Sequence, residues 1–208
     1  GISFGEDYIP GIDGVMPDPC FIQERSSELV GLVVTHGHED HLGAIQHLWP
    51  QIRCPIYSTG FSNSLLKRKL SETSMEKVVP LKKMSPSSNV RIGPFNVKLV
   101  SLNHSIPEPN GLIIRTKVGT LVHTGDWKFD KDPVIGQACD EEELRKLGNE
   151  GVLAMMCDST NALVSGTAGS EGSLKKHLHN LISECKNRVA VGCFASNVAR
   201  FQTIAEVA

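Results

Sequence analysis

The chain has 208 residues, 40% of them hydrophobic and 21% charged, with a formal net charge of −2. That is enough apolar material for one medium domain, or for one domain and part of another. The near-neutral balance excludes a global electrostatic case for nucleic-acid binding, so any polyanion has to be held by a local patch or by metal ions.

In chain order, residues 1–20 are rich in Gly, Pro and Asp and read as an ordered loop. Residues 29–34 are an apolar run too brief for a helix and predict a buried strand. Residues 41–48 predict a helix ended by Pro50, and residues 55–58 a short strand. Phe61, Leu65, Leu66 and Leu70 recur at helical spacing and predict a helix over residues 60–70, with Lys67, Arg68 and Lys69 as a solvated face. Residues 90–102 predict two strands around Gly93-Pro94. Two more follow at 111–116 and 120–123. A charged helix over 140–147 stops at Gly148, and a buried strand covers 152–157. Beyond a Gly- and Ser-rich crossing at 165–173 come a helix over 174–185, a strand over 188–194 and a helix from Asn197. Strands in series with intervening helices suit a layered α/β domain, and the change of texture places a boundary near residue 163.

No apolar run approaches the ~20 residues that span a bilayer, and no secretory leader opens the chain, so no membrane partner is expected. Cys20, Cys54, Cys139, Cys157, Cys185 and Cys193 are scattered without a CxxC pair. They read as small buried hydrophobes in a reducing compartment, which predicts a cytoplasmic location. The abrupt start at Gly1 and the end at Ala208 inside a helical pattern predict a piece of a longer chain.

The chemistry concentrates in His36-Gly37-His38-Glu39-Asp40-His41, directly after the first buried strand. Neutral imidazoles and carboxylates suit Zn²⁺ and related divalent ions. His36 and His38 alternate along an extended turn and share a side, while Asp40 and His41 lie one turn on, placed for a second ion. Two later strand ends, at Asn103-His104-Ser105 and at Thr124-Gly125-Asp126, are where ligand loops belong. They complete a set in which His36, His38 and His104 hold one metal, Asp40 and His41 hold the other, and Asp126 bridges. Such a pair of ions activates a bridging water as hydroxide and neutralises charge on an attacked phosphoryl or carbonyl group. His123 stays outside the set because a ligand there would crowd Asp126. His47, His177 and His179 read as surface residues. Lys128, beside the bridging Asp126, is a candidate phosphate contact.

These motifs resemble those of the metallo-β-lactamase superfamily, which implies an αββα sandwich with a di-zinc site at one edge. Thr35 to Ala44, Asn103 to Pro107, His123 to Asp130, Cys157 to Ala162 and Phe194 to Arg200 are similar to the ribonuclease J family within its β-CASP branch. The resemblance implies a metallo-β-lactamase domain over residues 1–162 and, from 163 to 208, the beginning of an inserted β-CASP domain, with RNA held between the two. It implies that Asp158 assists catalysis beside Asp40 and Asp126, and that Ser196 and Asn197 join Lys128 in contacting substrate. It also implies single-stranded RNA as substrate, cleaved both from the 5′ end and internally. It implies two divalent ions as cofactors, Zn²⁺ foremost and Mn²⁺ or Mg²⁺ otherwise, and a homodimer or homotetramer of the full-length protein. The family's first acidic motif would precede Gly1, and its later histidines, including the closing metal ligand and the general acid, would follow Ala208. Ala199 stands where relatives often carry histidine. Two other functions fit the same ligands: a thioester or lactone hydrolase of this fold, and a catalytically silent RNA-binding subunit.

Overall fold

The computed structural model describes residues 1–4 and 10–208, which group into two compact units, Gly1–Lys98 and Leu99–Ala208. The first unit opens with an antiparallel pair, β1 (Ser3–Phe4) and β2 (Gly14–Val15), inside the stretch predicted as loop. Residues 5–9 of that stretch lie outside the described residues. A short helix α1 (Cys20–Gln23) leads to β3 (Leu32–Val33), β4 (Ile56–Ser58) and β5 (Leu81–Lys83), a parallel sheet with β4 in the middle. Parallel neighbours need crossover connections. These are α2 (Glu39–Leu42) with α3 (Ile45–Ile52), and α4 (Gly60–Glu72). Val34, Leu42, Ile45, Trp49, Ile56, Leu66, Leu70 and Val79 close the core of this unit.

The helix predicted over 41–48 is corrected at both ends. Gly43 and Ala44 separate two helices, and Pro50 sits inside α3 rather than stopping it. In that last turn proline removes only the donor to the Gln46 carbonyl. The helix stops at Arg53, whose left-handed backbone (φ 43°) lets its N–H return to the Trp49 carbonyl at 2.8 Å. The Trp49 indole N–H donates to the Cys54 carbonyl at 2.8 Å and secures the turn. As predicted, β6 (Asn89–Ile92) and β7 (Phe95–Ser101) form a hairpin about Gly93.

The second unit contains the C-terminal part of β7, β8 (Asn110–Arg115), β9 (Thr120–His123) and β10 (Ala154–Met156), in the order β10-β9-β8-β7. β8 pairs antiparallel with β9, and β10 pairs parallel with β9 across the helix α5 (Glu141–Glu150). The Asp140 carboxylate caps α5 by accepting from Glu142 N–H at 3.0 Å. Gly148 does not end α5; Gly151, at φ 94°, does. The core is Val100, Leu102, Ile113, Val122 and Leu147, with Trp127, Cys139 and Leu144 packed on it. The last helices are α6 (Glu171–Ser183) and α7 (Val198–Val207), joined by a Lys175–Glu206 ion pair of 2.7 Å.

Three expectations fail here. β10 forms, but its side chains are exposed, because it lies at the end of the strand order and apolar character alone does not place a strand inside. Residues 188–194 form no strand; an alternating pattern needs a neighbouring strand to accept its ladder. Of the cysteines only Cys54 is buried; Cys20, Cys157, Cys185 and Cys193 are exposed. Among the described residues no helix is long and apolar enough to cross a membrane.

Leu42, fully buried one residue past His41, ties the motif to the core. Leu42→Ala is expected to lower the unfolding free energy by about 2–5 kcal/mol. The measurement is the urea midpoint of the full-length protein, and an unchanged midpoint would contradict this packing.

Candidate metal centre

In the first unit the cluster begins where β3 ends. Val34 N–H donates to the Tyr57 carbonyl at 2.8 Å, one residue beyond the end of β3. His36 is fully buried. Its Nδ1 lies 3.0 Å from Thr35 Oγ1, and its Nε2 lies 3.2 Å from His38 Nδ1. With Thr35 accepting from Nδ1–H, the lone pair of His36 Nε2 faces His38. Two imidazoles bound to one Zn²⁺ at 2.0–2.1 Å hold their nitrogens about 3.3 Å apart, with the outer N–H on a fixed acceptor. The 3.2 Å separation of the observed pair matches that spacing, so these residues fit a divalent ion.

His38 is the residue before α2, and Asp40 and His41 follow on its first turn. His41 Nε2 lies 3.4 Å from Asp40 Oδ2, and its ring centre is 4.1 Å from that of His36. Glu39, the other carboxylate of the motif, is committed elsewhere: its Oε1 pairs with Lys69 Nζ at 2.8 Å. Lys69 is therefore more than the solvated face expected of α4, since it ties that helix to the motif. A Cβ on Gly37 would lie 2.8 Å from Leu65 Cδ1 and 3.3 Å from Phe61, also on α4. Glycine lets the loop approach that helix closely.

In the second unit three loops carry the predicted groups. β7 and β8 are joined as a hairpin by Leu102 N–H on the Pro109 carbonyl (3.1 Å), and β9 reverses direction again. β7, β9 and β10 therefore run the same way, and their carboxyl ends lead to His104, Asp126 and Asp158. Clefts at the carboxyl ends of strands are where open α/β sheets take ligands. His104 Nε2 lies 3.7 Å from Asp126 Oδ2, close to the separation of two ligands on one ion. His123 helps shape this turn: its Nδ1 accepts from Gly125 N–H at 2.9 Å, and Gly125 takes φ 60°. The Asp158 N–H donates to Thr124 Oγ1 at 2.9 Å, which ties the Asp158 loop to the Asp126 turn. Hydrogen bonds from the Thr160 backbone and hydroxyl hold the Asp158 carboxyl below the usual carboxylate range.

The predicted substrate contacts are all engaged within the protein. Lys128 Nζ pairs with Asp130 at 2.9 Å. Asn197 caps α7 by accepting from Arg200 N–H at 2.9 Å, and Ser196 immediately precedes that cap. Sequence reasoning assigned Asp130 no role, although it lies within a quoted motif. Burial pushes its carboxyl up, but donors outweigh this and hold it well below its ordinary 3.8: the Glu171 and Asp132 backbone N–H groups, Ser170 and Lys128. Glu171 in turn holds Arg200, with Oε1 to Nε at 2.6 Å. The chain Lys128–Asp130–Glu171–Arg200 thus fastens α6 and α7 to the loop that carries Asp126. Spacing alone offered no signal for it, since the partners are some 40 and 70 residues from Asp130 in sequence.

A carboxyl with a lowered folded pKa stabilises the protein above its unfolded pKa, and that contribution is lost as pH falls through the folded value. Asp130→Asn is expected to lower stability at pH 7 by about 1–3 kcal/mol, from the loss of charge-assisted hydrogen bonds. It should also flatten the decline in stability below about pH 4. Urea unfolding at pH 7, 4 and 3 measures both, and a variant with the wild-type acid limb would contradict this account.

The profile of the β-lactamase superfamily domain matches residues 10–148. The whole chain is similar to three curated ribonucleases. It is 42% identical to Ribonuclease J of Sinorhizobium meliloti, 40% identical to Ribonuclease J of Corynebacterium glutamicum and 33% identical to Ribonuclease J2 of Bacillus subtilis. It spans only 37%, 29% and 38% of their respective lengths. A crystal structure of a protein of unknown function from Enterococcus faecalis aligns with a TM-score of 0.60 at 18% identity, over 85% of this chain and 44% of that one, which shows a shared fold. With that fold, this domain match and a His/Asp donor set suited to a divalent ion, the chain belongs to the metallo-β-lactamase superfamily.

Proposed function

We propose that the full-length protein is a metal-dependent ribonuclease that hydrolyses the phosphodiester bonds of single-stranded RNA, both from the 5′ end and internally. The observation that carries this is the His36–His38 nitrogen pair at 3.2 Å, its outer nitrogen on Thr35, in a chain whose similar proteins are ribonucleases J. His36, His38, His104, Asp40, His41 and Asp126 are the residues that would hold two divalent ions. Zn²⁺ suits these ligands best, with Mn²⁺ or Mg²⁺ as alternatives. When bound, such ions supply an activated water and neutralise charge on the attacked phosphoryl group.

The protein's own groups do the positioning. The Thr35 hydroxyl orients His36, and the His123–Gly125 hydrogen bond sets the turn that presents Asp126. Asp158, kept ionised by Thr160, orients groups at the reacting phosphate. Lys128 reaches a substrate phosphate by exchanging partners with Asp130, while Ser196 and Asn197 offer polar groups at the start of α7. Residues 163–208 begin the inserted domain that closes over RNA in a cytoplasmic homodimer or homotetramer.

Chelation of the full-length protein should abolish cleavage of a single-stranded RNA, and added Zn²⁺ or Mn²⁺ should restore it. Asp126→Ala should lower kcat/KM by at least about 100-fold with a parallel loss of bound metal. Wild-type RNA cleavage by that variant would overturn the assignment. Turnover of a thioester but not of RNA would move it to another hydrolase of the same fold.

A further inference from the structure

A cleft of about 440 Å³ lies within the second unit, between residues 128–131 and residues 167–170. Its two walls are tied together. Ser170 Oγ donates to the Asp132 carbonyl at 2.7 Å, and Glu171 N–H donates to the Asp130 carboxylate at 2.9 Å. One wall continues from the turn that carries Asp126, and the bridge between Lys128 and Asn103 fixes its backbone. The other wall is Thr167, Ala168 and Gly169, and a Cβ on Gly169 would meet nothing within 4 Å, so the space beside it is open.

Two lining groups stand out. Phe129 is 47% exposed, yet its ring is held edge to face against Trp127, with centroids 4.9 Å apart. It is an aromatic face that is both positioned and wet. Lys131 is exposed, and among the described residues its ammonium has no carboxylate partner. The neighbouring charges are matched: Lys128 pairs with Asp130, and the Asp132 carboxylate lies against Gly172 at the start of α6. The cleft therefore combines one aromatic face with one uncompensated positive charge. Two other exposed phenylalanines differ, since Phe21 is already covered by Arg25 and the Arg200 beside Phe194 is held by Glu171.

That combination selects the ligand. Proteins hold single-stranded nucleic acid by stacking bases on aromatic rings while cations meet the backbone phosphates. The volume falls within the range of small-molecule pockets and has room for one nucleotide. We infer that this cleft holds one base of the RNA stacked on Phe129, with Lys131 on an adjoining phosphate. The inference rests on the ribonuclease reading above and deepens it, by naming two residues that grip the strand next to the Asp126 turn. Every base has a π-face, so this contact is indifferent to which base enters.

The test uses the full-length protein with its metal chelated, so that RNA binds uncut, and fluorescence anisotropy of a short labelled single-stranded RNA. A set of these oligonucleotides carries one abasic nucleotide at successive positions. For the wild type, one position should raise Kd by about tenfold, whichever base is removed there. Phe129→Leu should raise Kd for the intact RNA by a similar factor and lose the response at that position, whereas Phe129→Tyr should keep wild-type behaviour. Lys131→Ala should make the plot of log affinity against log salt shallower by about 0.7, the contribution of one phosphate contact on a single strand. A wild type that responds to no abasic position overturns the inference, as does a folded Phe129→Leu protein with the full response or an unchanged salt slope in Lys131→Ala. Absence of binding by the chelated protein overturns it too, because neither contact needs a metal. Should the leucine form misfold by circular dichroism, the tyrosine and alanine variants still decide. A wild type that cleaves no RNA once its metal is restored overturns the ribonuclease reading itself, a separate and visible result.

Discussion

Burying an imidazole is tolerable only if its two nitrogens have somewhere to go, and His36 is fully buried. One nitrogen meets Thr35, the other faces His38, and His41 packs its ring alongside. Local structure serves this arrangement. A parallel strand ends three residues before His36, α2 begins just after His38, and Gly37 allows the loop to settle against α4. Lys69 pairs with Glu39 and so ties α4 to the motif.

The second unit solves a different problem, that of holding an acidic turn rigid. Asp126 has no helix to ride on, and it sits two residues beyond Thr124 on an irregular loop. Neighbouring backbone supplies the rigidity. Thr124 is bonded to the Asp158 loop, His123 accepts from Gly125, and Lys128 forms a bridge with Asn103 beside His104. Asp130 then anchors the amino end of α6, whose Glu171 grips Arg200 on α7. These charged and backbone hydrogen bonds hold the loops on either side of Asp126.

What could be read in advance follows the range of the forces involved. α4 and the β6–β7 hairpin were legible because helical spacing and a Gly-Pro turn act over neighbouring residues. The two-helix break at Gly43, the helical Pro50 and the exposure of β10 were not, because each depends on what packs nearby. The same divide runs through the candidate site. The candidate donors His36, His38, Asp40, His41, His104 and Asp126 could be proposed from residue types at strand ends, and Asp158 only from the family resemblance. Lys128, named as a phosphate contact, turned out to have a carboxylate partner two residues away.

By itself the sequence determined the donor chemistry and the superfamily, because imidazole and carboxylate spacing at strand ends is a local property carried by a handful of residues. Only the tertiary structure decided which of those groups are pre-arranged and which are already engaged. The 3.2 Å approach of two imidazoles and the Asp130–Glu171–Arg200 chain join groups whose geometry is set by folded backbone. Hydrogen bonds and ion pairs are directional and short-ranged, so their partners are settled when the chain packs.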